Sequence, residues 1–144
     1  MINARQIQLV RDSFEQVLPL TAQAASSFYQ RLFELAPDTR MLFRNDMAEQ
    51  GRKLFQTLAL IVDALHRLED VLPVAGALAA RHVGYGVQEK HYDAVGTALI
   101  NTLQHNLGDR FNVETKAAWL LAYSLLSGHM INAARGSAQC KAAA

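Results

Sequence analysis

Five histidines are the residues of this chain best suited to metal ligation or to proton transfer near neutral pH. His66 and His105 fall at the ends of predicted helices, where a solvent-facing cation is the simplest interpretation. His91 follows Glu89 and Lys90 in a polar first turn. His129 continues an apolar helix track, which favours a hydrogen-bonded core histidine. None of these four has a context that favours ligation.

His82 differs from the other histidines because it lies one turn after Leu78 on an apolar helix face and is followed by Tyr85, Gly86 and Val87. A single histidine on an apolar face is more often a structural residue than a ligand. The local pattern therefore leaves both roles open.

Side chains alone offer no catalytic constellation. The sequence contains no HExxH, GxxxxGK[ST] or GxSxG motif, and the glycines of HVGYGVQE follow a helix rather than a strand. Its one cysteine, Cys140, lies near the end of the chain and can form neither an internal disulfide nor a thiolate metal cage. Any reactivity must therefore come from a cofactor.

Helical periodicity dominates the segments that would position these residues. Asn3 and Gln6 form a predicted capping box, Pro37 starts a short helix through Phe43, and a new segment begins near Pro73 and ends at Gly84 and Gly86. Further apolar stripes at spacings of three and four include Ala24–Leu35, Leu54–Leu65, Tyr92–Leu103 and Trp119–Leu125. The chain is predicted to be all-α, with seven to eight helices of unequal length. Such helices suit steep crossings around a pocket better than a four-helix bundle.

Composition places the 144 residues in one domain with a sizeable core, since 51% are apolar and 19% charged. A net charge of +1 gives no reason to expect nucleic acid as a partner. The longest apolar stretches are too short for a membrane span, and no signal peptide is visible. We therefore expect a cytoplasmic protein, whose tail from about residue 137 is disordered.

Four segments together resemble the globin family: FYQRLFELAPDTRMLF, QGRKLFQTL, ARHVGYGVQEKHYDAVG and AAWLLAYSLL. The resemblance covers roughly residues 3 to 134, in order and spacing, and is closest to bacterial single-domain haemoglobins and the globin domains of flavohaemoglobins. It implies a globin fold around a haem b cofactor.

The resemblance also implies roles for individual residues. His82 is similar to the proximal ligand of the haem iron, and Phe43 to the phenylalanine that packs on the haem face. Tyr29 and Gln50 resemble the distal pair that faces bound gas, and Leu54 resembles the apolar residue beside them. The implied cofactor-binding set is Phe43, Lys53, Leu54, Arg81, Val87 and Tyr92.

Structural alternatives remain for several of these residues. Tyr29 also suits a core tyrosine, and Gln50 an exposed residue at a helix start. Lys53 and Arg81 suit either a haem propionate or a solvated face.

Tyr92 follows His82 by ten residues, as in flavohaemoglobins. In flavohaemoglobins it belongs to a proximal network with a glutamate on the last helix, but here Ala134 occupies the expected position. Tyr92 is therefore also interpreted as a packing residue, and strong peroxidase-like activation is in doubt.

Three functions follow from the resemblance. The first is binding of O2, and of CO and NO, at a histidine-ligated haem iron. The second is nitric oxide dioxygenase activity supported by a separate reductase. The third is gas sensing.

Overall fold

A computed structural model describes residues 2–43, 46–84 and 87–143, including their side chains except at positions 68, 71, 74 and 135–143. These residues form six α-helices and no strand: α1 (Ala4–Val17), α2 (Thr21–Leu35), α3 (Met47–Asp63), α4 (Leu68–Gly84), α5 (Glu89–Leu107) and α6 (Val113–Ala143). Short 3₁₀ helices cover Leu18–Leu20, Pro37–Leu42, Leu65–Arg67 and Gly108–Arg110. The all-α prediction is confirmed. The described residues form six α-helices rather than the seven to eight predicted, since the helix that Pro37 starts is a 3₁₀ helix. The predicted helix end at Gly86 lies outside the described residues.

Local hydrogen bonds explain where several helices begin and end. The Asn3 side chain accepts from the Gln6 amide at 2.8 Å, and the Gln6 side chain accepts from the Asn3 amide at 2.9 Å, which confirms the capping box. The Asn112 side chain accepts from the Thr115 amide at 2.9 Å at the start of α6. Gly108 ends α5 with a φ of +57°, a conformation that favours glycine.

The start of α4 differs from the prediction. The sequence places it near Pro73, whereas the helix begins at Leu68 and contains Pro73 as an interior residue. Proline there removes only the bond to the Glu69 carbonyl. His129 of α6 contacts the same helix, since its Nε2 lies 2.9 Å from the Leu72 carbonyl oxygen and donates to it. The last helix, α6, continues past Gly136 to Ala143. Disorder of the tail from about residue 137 stays a prediction.

The main core surrounds α2, which packs against α3 and α5, while α1 packs against α6. The indole of Trp119 donates to the Ser13 hydroxyl at 2.7 Å, and that hydroxyl donates to the Leu9 carbonyl at 2.7 Å. Both side chains are buried. This relay joins α1 to α6 without leaving a buried polar group unpaired.

A second, smaller core holds α4 in place. It consists of Ala75, Ala79, Tyr92 and Met130, with Leu78 and Val87 packed against it. Through this second core α4 packs against α6, whereas α3 belongs to the main core. In the described part of the chain α3 and α4 are not closely packed against each other. The fold therefore separates these two helices and anchors each on a different core.

Gly96 permits a close crossing of α5 and α6. A Cβ at this position would lie 2.7 Å from Cε2 of Tyr123. Overpacking costs about 1–3 kcal/mol, whereas replacing a helical glycine by alanine gains about 1 kcal/mol. We expect Gly96→Ala to lower the free energy of unfolding by up to about 2 kcal/mol in urea denaturation.

Gly128 of α6 provides the matched control, because a Cβ there would meet nothing within 4 Å. Gly128→Ala should therefore raise the free energy of unfolding by up to about 1 kcal/mol. A Gly96→Ala protein as stable as Gly128→Ala would contradict the close-crossing interpretation.

Candidate functional site

His82 lies in the last turn of α4, half-buried, with its Nδ1 at 2.8 Å from the carbonyl oxygen of Leu78. A carbonyl only accepts, so Nδ1 carries the proton and donates. Burial lowers the pKa of His82, which favours the neutral ring. In that tautomer the lone pair is on Nε2. A backbone-bonded Nδ1 and a basic Nε2 are the usual arrangement of a metal-ligating histidine.

An aromatic group from α2 and the following turn surrounds Tyr29. The rings of Tyr29 and Phe43 meet edge to face with centroids 5.2 Å apart, and the Phe33 ring lies 5.7 Å from that of Phe43. The ring centroid of Phe28 lies 5.0 Å from that of Tyr29. These contacts fix the position of Phe43, at the end of the Pro37–Leu42 turn, relative to α2.

Tyr29 and Gln50 lie together. The Tyr29 side chain is buried, and its hydroxyl lies 3.4 Å from the backbone carbonyl oxygen of Gln50, which is a long hydrogen bond. Burial raises the pKa of Tyr29 to about 12, against the opposing effect of a hydrogen bond with Gln50, so the hydroxyl keeps its proton at neutral pH. The Gln50 side chain is half-buried. The Tyr29 hydroxyl and the Gln50 amide each carry hydrogen that can be donated.

The other predicted cofactor-binding residues divide by exposure. Leu54 is half-buried on α3, one turn after Gln50, and packs against the main core. Val87 is half-buried beside the second core, and its amide donates to the His82 carbonyl at 3.0 Å. Lys53 and Arg81 are exposed. Their contact with a propionate stays a prediction.

Tyr92 is buried in the second core, where Met130 packs with it. Its backbone carbonyl accepts a short hydrogen bond from the Tyr123 hydroxyl. Burial raises the pKa of Tyr92 and of Tyr123. Ala134 is half-buried on α6 and offers no carboxylate to the Tyr92 hydroxyl. The packing interpretation of Tyr92 therefore fits its surroundings.

The sequence matches the globin family over residues 26–130. It is 33% identical to a flavohemoprotein of Chromobacterium violaceum over 115 residues, which cover 77% of this chain and 28% of that protein. The chain belongs to the globin family. A flavohemoprotein of Vibrio cholerae is 25% identical over 130 residues, or 88% of this globin and 33% of the relative. The globin thus spans about a third of the length of these relatives.

Solved structures show the same fold. A bacterial globin from Campylobacter jejuni has a TM-score of 0.81 at 23% identity, covering 95% of this globin and 99% of that chain. An engineered carbene transferase, a candidate nitric oxide dioxygenase from Rhodothermus marinus, has a TM-score of 0.86 at 23% identity and covers 99% of both chains. The predicted globin fold is confirmed.

His91 is the residue of this globin whose environment the sequence analysis missed. Its side chain is buried, with Nε2 at 2.8 Å from Oδ2 of Asp38 and Nδ1 accepting from the Gln88 amide at 2.9 Å. The bond to His91 is the main reason that the pKa of Asp38 is lowered, and Lys90 contributes at 3.2 Å. The signal was the spacing of Gln88 and His91, which form a capping box at the start of α5.

The remaining histidines agree with their structural interpretations. His105 is exposed in the last turn of α5, and His66 is exposed in the Leu65–Arg67 turn. His129 is half-buried and bonded to the Leu72 carbonyl, as expected for a core histidine. No three His, Cys, Asp or Glu side chains within the described residues group together as a metal site. None of the helices formed by the described residues has the length and hydropathy needed to cross a membrane.

Proposed function

We propose that this globin is a haem protein that binds O2, and also CO and NO, reversibly. The observation that carries the proposal is His82, whose Nδ1 proton is committed to the Leu78 carbonyl so that the ring's lone pair is on Nε2. The pKa lowered by burial keeps that lone pair unprotonated at neutral pH. Imidazole nitrogen is the ligand by which globins hold haem iron.

The apolar side chains near α3 and near α4 fit a flat, apolar cofactor. The two helices rest on different cores and are not closely packed together among the described residues. Half-buried apolar side chains belong to both sides, with Phe43 and Leu54 on one and Leu78 and Val87 on the other. When bound, haem would supply an iron that binds a gas. We assign haem b to the residues of these two regions, with His82 as the ligand of its iron and Tyr92 as a packing residue of the second core.

Tyr29 and Gln50 are proposed to stabilise the bound gas. The Tyr29 hydroxyl is held at the start of α3 by a long hydrogen bond to the Gln50 carbonyl, beside the Gln50 side chain. The hydroxyl and the amide both carry hydrogen that can be donated to an acceptor with partial negative charge. Such bonds contribute about 1.5–3 kcal/mol in a site without water. Glutamine is a poor iron ligand, so Gln50 leaves the gas position open.

A second candidate function is nitric oxide dioxygenase activity, in which NO, O2 and one electron give nitrate. Two observations favour it: the matched flavohemoproteins, and the fold shared with the Rhodothermus marinus protein. The electron would come from a reductase, which we propose as a partner of this globin. Alanine at position 134 argues against strong proximal activation of O2, so we rank this function second. A cytoplasmic location stays a prediction.

A single set of mixing experiments separates the two functions. The reduced protein is equilibrated with O2, then flushed with argon, and its absorption spectrum should return to that of the reduced form over repeated cycles. Loss of the reduced spectrum in the first cycle would contradict reversible binding. Mixing the O2-equilibrated protein with NO then tests the second function, which requires nitrate in a yield equal to the protein present.

A further inference from the structure

His91 joins two segments that lie on either side of the candidate haem site. Its side chain is 4% exposed, and each ring nitrogen has a partner from a different segment. Nδ1 accepts from the Gln88 amide and therefore carries no proton, so Nε2 carries it and donates to Asp38. The ring is thus a rigid link between one donor and one acceptor.

The Asp38 end of this link belongs to the turn that leads to Phe43. Asp38 is the second residue of the 3₁₀ helix Pro37–Leu42, and Phe43 follows that helix directly. Thr39, 2% exposed, donates to the Ala36 carbonyl at 2.6 Å, so the turn is itself well ordered by local bonds. Fixing Asp38 therefore fixes the segment from which Phe43 projects.

The Gln88 end of the link belongs to the segment that leaves His82. Val87, the neighbour of Gln88, donates its amide to the His82 carbonyl at 3.0 Å. Holding the Gln88 amide on Nδ1 of His91 therefore restrains Gln88 and its neighbour Val87 at the start of α5. A route of four hydrogen-bonded or adjacent residues runs from His82 through Val87 and Gln88 to His91.

We propose that His91 is a positioning residue that locks the Phe43 turn to the segment leaving His82 and so sets the geometry of the bound haem. The inference rests on the proposed function. Other side chains cannot replace this link easily, because an aliphatic or phenyl group has no bonds to offer and an amide carries its donor and acceptor at the same end. Lys90 contacts the same carboxylate from an exposed position and is not part of the link.

The test compares Asp38→Ala and His91→Phe with the control Lys90→Gln. Asp38 is exposed, so its variant should fold even where His91→Phe does not. We expect each break in the link to raise the rate of haem transfer to an excess of a haem-free acceptor protein by about tenfold. Lys90→Gln should change that rate less than twofold. The variant that combines Asp38→Ala with His91→Phe should lose haem no faster than the faster of the two single variants, because both substitutions remove the same interaction.

Two further readouts separate positioning from general stability. The iron–histidine stretching frequency of the reduced protein, from resonance Raman spectroscopy, should shift in Asp38→Ala and stay unchanged in Lys90→Gln. An unchanged frequency together with an unchanged haem-loss rate in Asp38→Ala would overturn the proposal. A loss of stability without either change would assign the link a purely structural role.

The same link can be followed without haem, which separates this proposal from the proposed function. In the haem-free protein, Asp38→Ala should speed amide hydrogen exchange at Val87 and at Gln88, on the far side of the link, relative to Lys90→Gln. Equal amide exchange rates at Val87 and Gln88 in Asp38→Ala and Lys90→Gln would overturn the link itself. Absence of haem uptake by the wild-type chain would instead overturn the proposed function and leave this exchange result to decide the inference.

Discussion

Replacement of His82 by alanine is expected to abolish the histidine-ligated spectrum of the reduced haem protein. The Nδ1–Leu78 bond and the lowered pKa make His82 the described histidine best prepared to ligate through Nε2. Without the His82 ring, the affinity of the protein for haem should fall by at least about a hundredfold, or roughly 2.7 kcal/mol. Absorption spectroscopy with haem titration measures both effects.

Two controls make this result specific. His82→Gly with added imidazole should restore the spectrum, because the free ring enters the space left by the side chain. His129→Ala removes a histidine that bonds the Leu72 carbonyl of the same helix, and it should retain the ligated spectrum. A His82→Ala protein that keeps a histidine-ligated spectrum would rule out His82 as the ligand.

Replacement of Tyr29 by phenylalanine should accelerate O2 dissociation by about tenfold or more, since about 1.4 kcal/mol corresponds to a factor of ten. The substitution keeps the ring contacts with Phe43 and Phe28 and removes only the hydroxyl. That hydroxyl stays protonated at neutral pH, and its bond to the Gln50 carbonyl is long. It is therefore available to donate to the bound gas.

The comparison with CO is the internal control for Tyr29→Phe. Bound CO carries less negative charge than bound O2, so its dissociation rate should change by much less. Stopped-flow displacement measures both rates on the same protein. Equal changes for the two gases would indicate altered access to the site, and an unchanged O2 rate would show that Tyr29 does not hold the ligand.

The fold was largely predictable because its helix signals are local. The capping box at Asn3 depends on two polar side chains three positions apart, a pattern that is visible in the sequence. The start of α4 was misplaced because proline is a strong local signal, whereas the packing of α4 on α6 depends on distant residues. Tertiary contacts overrode the local preference there.

The candidate site was predictable in part. Only the family resemblance groups Tyr29, Phe43 and Gln50 into one site, because they lie on separate segments of the sequence. The structure places Tyr29 beside Phe43 and beside Gln50. His91 was missed because its partner Asp38 is 53 residues away and no local pattern reports such a contact. The roles of Lys53 and Arg81 depend on exposed side chains and remain predictions.

The central claim, a gas-binding haem held by His82, is tested most directly by titrating haem into the haem-free protein and recording the reduced spectrum before and after CO. The account predicts saturation at one haem per chain, a five-coordinate histidine-ligated form before CO, and complete conversion to a six-coordinate form after it. Uptake that never saturates would contradict the account, as would a reduced form already six-coordinate through a second side chain.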